Sequence, residues 1–193
     1  MKRRLFIAVN LDPRTRAAIG KIEKDIEDGF GRDWDGRIRF MPDENWHITV
    51  SFLGTQDDAD LTAIMRAMRA AAEEFSPVDI SFAEIAYAPQ KDTPRMIWLR
   101  TAAATSRTLG DLQSSLERHL DAAGVRFERE SRAFSGHITL ARFLASAPRG
   151  DLPAIERKIK VGCTGASLDL MESELDRSGA KYTVLQEFPF KEA

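Results

Sequence analysis

Two of the three histidines in this 193-residue chain head nearly the same four letters, His47 in HITV and His137 in HITL, 137 − 47 = 90 residues apart. The likeness extends to NWHITVSFLG against SGHITLARFL. Imidazole has an ordinary pKa of about 6.5, so two rings can divide the roles of proton donor and proton acceptor near neutral pH without extreme tuning. A threonine stands two residues after each ring, at Thr49 and Thr139. Each hydroxyl can donate to a non-bridging phosphate oxygen from a position that the backbone holds. Two such hydroxyls on one phosphate, with an imidazole on either side, suit displacement at phosphorus with attacking and leaving oxygens roughly in line. That chemistry needs no metal.

Other chemistries fit these residues less well. A zinc site wants three or four His, Cys, Asp or Glu ligands, and each motif supplies one, so no metal and no cofactor is expected. No Gly-x-Ser-x-Gly elbow accompanies Ser51 or Ser135, and no acidic residue has an evident orienting role. The single cysteine, Cys163, has no neighbouring base and reads as a structural thiol. His119 sits beside a helical leucine stripe without the motif around it. A strand whose His and Thr satisfy each other in a core would account for one HIT string, and accounts poorly for two.

The bulk properties narrow the partners. With 43% hydrophobic and 30% charged residues the chain has an ordinary globular composition. A net charge of −2 argues against coating nucleic acid by bulk electrostatics, so any such contact should be local. Arg126, Arg129, Arg132 and Arg142 gather near the second motif, with Arg37 and Arg39 before the first. A solvated face and an RNA contact both fit that cluster, which leaves a non-catalytic RNA-end or nucleotide binding module as the alternative to an enzyme. No apolar run approaches the roughly 18 residues that span a bilayer, and Leu5 to Val9 is too short for a secretory signal. A cytoplasmic protein with no membrane partner is expected. Nothing signals an oligomer, and a monomer is expected.

The elements that must carry the motifs follow from periodicity. RLFIAVNL reads as a buried strand, and Asp12-Pro13 opens a helix whose Ile19, Ile22, Ile26 and Phe30 recur at spacings of three and four. RIRFM and WHITVSFLG read as strands, followed by a helix from about Asp57 to Phe75 with Leu61, Ile64, Met65, Met68, Ala72 and Phe75 inward. VDISFAEIAYA and RMIWLRT form a hairpin around Gln90 to Pro94, and Leu109, Leu112, Leu116 and Leu120 mark a third helix stopping at Gly124. VRFER and SGHITLARFL then read as strands, with a loop through Pro148, Gly150 and Pro153, a short helical IERKI, and final strands near SLDLMESEL and AKYTVLQEFPF. The chain reads as one α+β domain over residues 1–193, built from two intertwined lobes that each contribute one motif strand, 47–50 and 137–140. Side chains alternate along a strand, so His47, Thr49 and Ser51 should share one face, opposite Ile48, Val50 and Phe52. His137, Thr139 and Ala141 should share another, opposite Ile138 and Leu140.

These paired motifs, with RLFIAVNL, FSGHITLARF and the closing GAKYTVLQEF, resemble the two-histidine (2H) phosphoesterase superfamily over nearly the whole chain. The more specific resemblance is to its LigT-like branch, the RNA 2′,3′-cyclic phosphodiesterases that are also called 2′-5′ RNA ligases. The resemblance implies a bilobal α+β fold, two antiparallel sheets facing across a cleft with helices outside, and a pseudo-two-fold internal repeat. It implies hydrolysis of RNA ends or small nucleotides bearing a 2′,3′-cyclic phosphate to 2′-phosphomonoesters, with reversible ligation as a companion activity. Carried over by position, His47 is the proton donor, His137 the proton acceptor, and Thr49 and Thr139 hold the phosphate. Arg142, Phe52 and Ser51 are further substrate-binding candidates. Two features stand against simple carry-over: Gly136 replaces the proline many relatives have before the second histidine, and strict alternation puts Arg142 on the Ile138 face unless the strand bulges. Core packing is the expected role of Trp46, Phe52 and Phe134.

Overall fold

The computed structural model describes residues 1–89, 93–144, 152–155, 157–176 and 179–192. Among these residues nine strands and three helices run in the order β1 (Lys2–Asn10), α1 (Pro13–Gly29), β2 (Ile38–Phe40), β3 (His47–Asp57), α2 (Leu61–Glu73), β4 (Val78–Ala88), β5 (Met96–Thr101), α3 (Ala103–Ala122), β6 (His137–Phe143), β7 (Arg157–Gly165), β8 (Ser167–Asp176) and β9 (Gly179–Pro189). They form two sheets, one ordered β3-β1-β8-β9 and the other β2-β6-β5-β4-β7. Every pairing in both is antiparallel. Each sheet carries one motif strand, and β3 and β6 approach one another where the sheets meet.

Local chemistry explains the helices. Asp12 caps α1 by accepting from the backbone N–H groups of Arg14 (2.8 Å) and Thr15 (3.0 Å), with Pro13 at the first turn. A single helical turn at Asp58–Asp60 precedes α2. Helix α3 ends where Gly124 takes φ +73°, a left-handed value that suits glycine. Helix α1 packs on β7, α2 on β8 and β9, and α3 on α2, β3 and β4. Ile64, Met68, Leu109, Leu112, Leu116 and Leu120 are fully buried in one core with Leu5, Ile7, Val9, Ile48, Val50, Ile138 and Leu140. Phe6, Ala8 and Met171, with Tyr182 against them, form a separate small cluster on the other face of the first sheet. The first sheet thus has one face on the core and the other lining a cleft.

Two elements differ from expectation. Arg157–Ile159 of IERKI belong to β7, which pairs with β4, and not to a helix. The apolar spacing of Ile155 and Ile159 imitates a helical turn, while Lys158 and Lys160 are exposed and Ile159 and Val161 partly covered, in strand alternation. VRFER is not a strand: Val125 is buried and the Arg126 carbonyl accepts from the Gln56 amide, but no ladder forms. Gln90, Pro148 and Gly150, parts of two predicted turns, lie outside the described residues.

Candidate active site

Both histidines begin their strands and are half-buried, and each is fastened to the backbone two residues earlier. His137 donates from Nδ1 to the Ser135 carbonyl (2.8 Å), since a carbonyl can only accept, which leaves Nε2 for proton chemistry. His47 is likewise hydrogen-bonded to the Asn45 backbone. Aromatic rings fix the remaining freedom. The Phe6 ring lies 4.8 Å from His47, Tyr182 meets it edge-on at 5.1 Å, and Trp98 stacks on His137 at 3.8 Å and 23°.

Burial pushes the His47 pKa down to about 4, with Arg16, His137 and Arg142 adding repulsion and the bond to Asn45 opposing the shift. Burial also lowers the pKa of His137, and Arg100 and Arg142 push the same way. Each histidine therefore favours the neutral ring in the free protein. A charge on His137 would act on His47, and Arg142 acts on both rings, so the two imidazoles and the Arg142 guanidinium face a common space. Thr49 and Thr139 are half-buried beside the rings, and among the described residues neither hydroxyl has a hydrogen-bond partner. A group arriving between them would meet two free hydroxyls and two anchored imidazoles.

Strict alternation fails beyond the threonines, and it fails identically in both motifs. Opposite β1, Ile7 pairs with Ser51 and Ala8 with Thr49, leaving Val50 as an extra residue. Opposite β5, Ile97 pairs with Ala141 and Trp98 with Thr139, leaving Leu140 extra. Each bulged carbonyl is satisfied: that of Val50 accepts from the Gln113 amide (2.9 Å), that of Leu140 from the Met41 N–H (2.8 Å). The bulges reverse the parity of the residues after them. Ser51 turns into the core, 5% exposed, so it does not share the His47 face. Phe52 emerges 64% exposed, 6.3 Å from Phe6 and not in the core. Arg142, the residue equivalent to Phe52 five positions after its histidine, is likewise exposed. Trp46 is fully buried and Phe134 partly so, packed against the core.

The remaining candidates lie elsewhere. His119 pairs with Glu74 (2.8 Å), joining α3 to the end of α2. Arg129 pairs with Asp121, and Arg132 with Glu130 at 2.7 Å. Cys163 is half-buried on β7, and burial raises its thiol pKa. No group of three or more His, Cys, Asp and Glu converges among the described residues. Trp98, Tyr182 and Asn10 reach the histidines through strand pairing that no local pattern announces. Asn10 stands opposite His47 and donates to the buried Asp169 (2.7 Å), which also accepts from Ser167 (2.6 Å).

Comparison with known proteins agrees with this fold. The family model described as LigT like Phosphoesterase matches residues 12–98, which include the first motif. A protein of Thermus thermophilus named RNA 2′,3′-cyclic phosphodiesterase is 30% identical, covering 97% of this chain and 90% of its own. A protein of the same name from Methanothermobacter thermautotrophicus is 28% identical, covering 97% and 99%. The crystal structure of TT0787 of Thermus thermophilus superposes with a TM-score of 0.78 at 28% identity, over 98% of each chain. Sequence and fold similarity that run the full length, through both motif strands, make this chain a member of the LigT-like phosphoesterase family.

Proposed function

We propose that the protein is an RNA 2′,3′-cyclic phosphodiesterase that opens the cyclic phosphate to a 2′-phosphomonoester. The observation that carries the reading is the pair of backbone-anchored histidines, one on each sheet, each followed by an unpartnered threonine hydroxyl. The curated relatives bear that activity in their names. In this reading Thr49 and Thr139 donate to the non-bridging oxygens. Nε2 of His137 takes a proton from water as the water oxygen bonds to phosphorus. The bond from phosphorus to the 3′ oxygen breaks, and His47 supplies that oxygen with its proton. Arg142 offsets charge on the phosphorane, and exposed Phe52 offers a face to the terminal base. Ser51, turned into the core, takes no part.

A donor must hold its proton before it can give it away, and in the free protein burial keeps His47 near a pKa of about 4. A bound phosphate anion offsets the repulsion from Arg16 and Arg142 and raises that value, so substrate binding itself charges the donor. The test is incubation of the protein with an oligonucleotide ending in a 2′,3′-cyclic phosphate, with EDTA and with or without a 5′-hydroxyl acceptor. A 2′-phosphate product, undiminished by EDTA, is expected. A 3′-phosphate, or binding without turnover, would overturn the proposal, and a joined product would reveal the reverse ligation.

A further inference from the structure

Beyond the histidines the cleft continues into a groove of about 670 Å³, bounded by the β8–β9 hairpin on one side and the turn before β3 on the other. Among the described residues Arg4, Arg39, Arg142 and Lys181 line it, against one carboxylate, Glu44. That local excess of cations contrasts with a chain whose net charge is −2. It also contrasts with neighbouring arginines. Arg3, one residue from Arg4, is neutralised by Asp58 (2.9 Å) and Glu172 (2.8 Å), whereas Arg4 and Lys181 have no ion pair or hydrogen bond from their side chains among the described residues.

The groove is continuous with the reaction centre. Tyr182 lines it while touching His47, Asn45 lines it while holding that ring, and Arg142 lines it while acting on both histidines. A cyclic mononucleotide carries one phosphorus, which the His–Thr pair would occupy, leaving Arg4 and Lys181 unanswered. An oligonucleotide brings one further anionic phosphate for each preceding nucleotide. The groove's volume lies in the range of sites that enclose small ligands, and Met41 and Tyr182 add apolar and aromatic surface for sugar and base.

We propose that this groove is a subsite for the phosphodiester backbone of the nucleotides preceding the cyclic end, so that short RNA is preferred over a lone cyclic nucleotide. The proposal rests on the phosphodiesterase reading. It is tested by kinetics on a ladder running from cytidine 2′,3′-cyclic phosphate to its di- and trinucleotide homologues. Added nucleotides should raise kcat/KM through KM, with the salt slope steepening by about 0.7 for each phosphate engaged. R4Q/K181Q should cut kcat/KM for the trinucleotide about five- to tenfold and flatten that slope, while leaving the mononucleotide unchanged. No length preference in the natural protein, or an equal loss on mono- and trinucleotide, overturns the subsite. If no cyclic substrate turns over, the phosphodiesterase reading falls, and affinity for a 2′-phosphorylated trinucleotide over cytidine 2′-phosphate decides the groove alone. Tighter trinucleotide binding that R4Q/K181Q abolishes upholds it, and equal binding overturns it.

Discussion

At the scale of residues, the two imidazoles carry the proposed chemistry and their removal is the sharpest test. H47A and H137A should each lower kcat about 10²- to 10⁴-fold, with far-UV circular dichroism unchanged because both rings are half-buried at strand starts. A variant with near-normal turnover would remove its histidine from the mechanism. The depressed His47 pKa also bears on stability. Between pH 6.5 and about 4 the unfolded chain binds a proton that the folded one refuses. The folded state therefore loses stability as pH falls through that window and regains it above about 6.5. Chemical denaturation at pH 7 and pH 5 should show the drop, and H47A should shrink it. Trp98, stacked 3.8 Å from His137, provides an optical readout, since a protonated imidazole quenches indole emission. The midpoint of quenching should lie below the ordinary histidine value and rise when phosphate binds.

At the scale of elements, the strand into the second motif depends on Gly136. Its carbonyl accepts from the Thr101 N–H (2.9 Å) and Oγ1 (3.1 Å), and its own N–H donates to Ser106 Oγ (3.2 Å). A Cβ built there would lie 2.6 Å from Thr101 Oγ1. G136A should therefore destabilise by about 1–3 kcal/mol, and G136P by more because it also loses the donor, both read from thermal melts. The Thr101 and Ser106 hydroxyls, 2.8 Å apart, form the clamp that holds this strand entry. Much of the fold was legible because amphipathic stripes such as Leu109, Leu112, Leu116 and Leu120 depend only on local spacing. The reversed placement of Ser51 and Phe52 was not. It arises from the bulge at Val50, as the placement of Arg142 does from that at Leu140; their carbonyls find donors on Gln113 and Met41, and such distant hydrogen bonds leave no trace in an alternation pattern. Likewise, the partner of β7 is β4, more than 60 residues earlier.

At the scale of the molecule, the first sheet is assembled from opposite ends of the chain. β1 lies between β3 and β8, and β8 carries β9, whose Tyr182 reaches His47. A chain cut after Gly165 would leave β1 and β3 as an isolated pair, which is marginal in water. It should lose cooperative unfolding and show weak amide protection in both strands by hydrogen exchange. Native-like protection in that fragment would mean that the sheets are independent. The arrangement has a consequence for biosynthesis. β1 leaves the ribosome well before its partner and keeps one hydrogen-bonding edge open until residues 167–176 emerge, so the nascent protein carries a sticky apolar ribbon while everything between them is made, and a pause in that interval exposes it to aggregation.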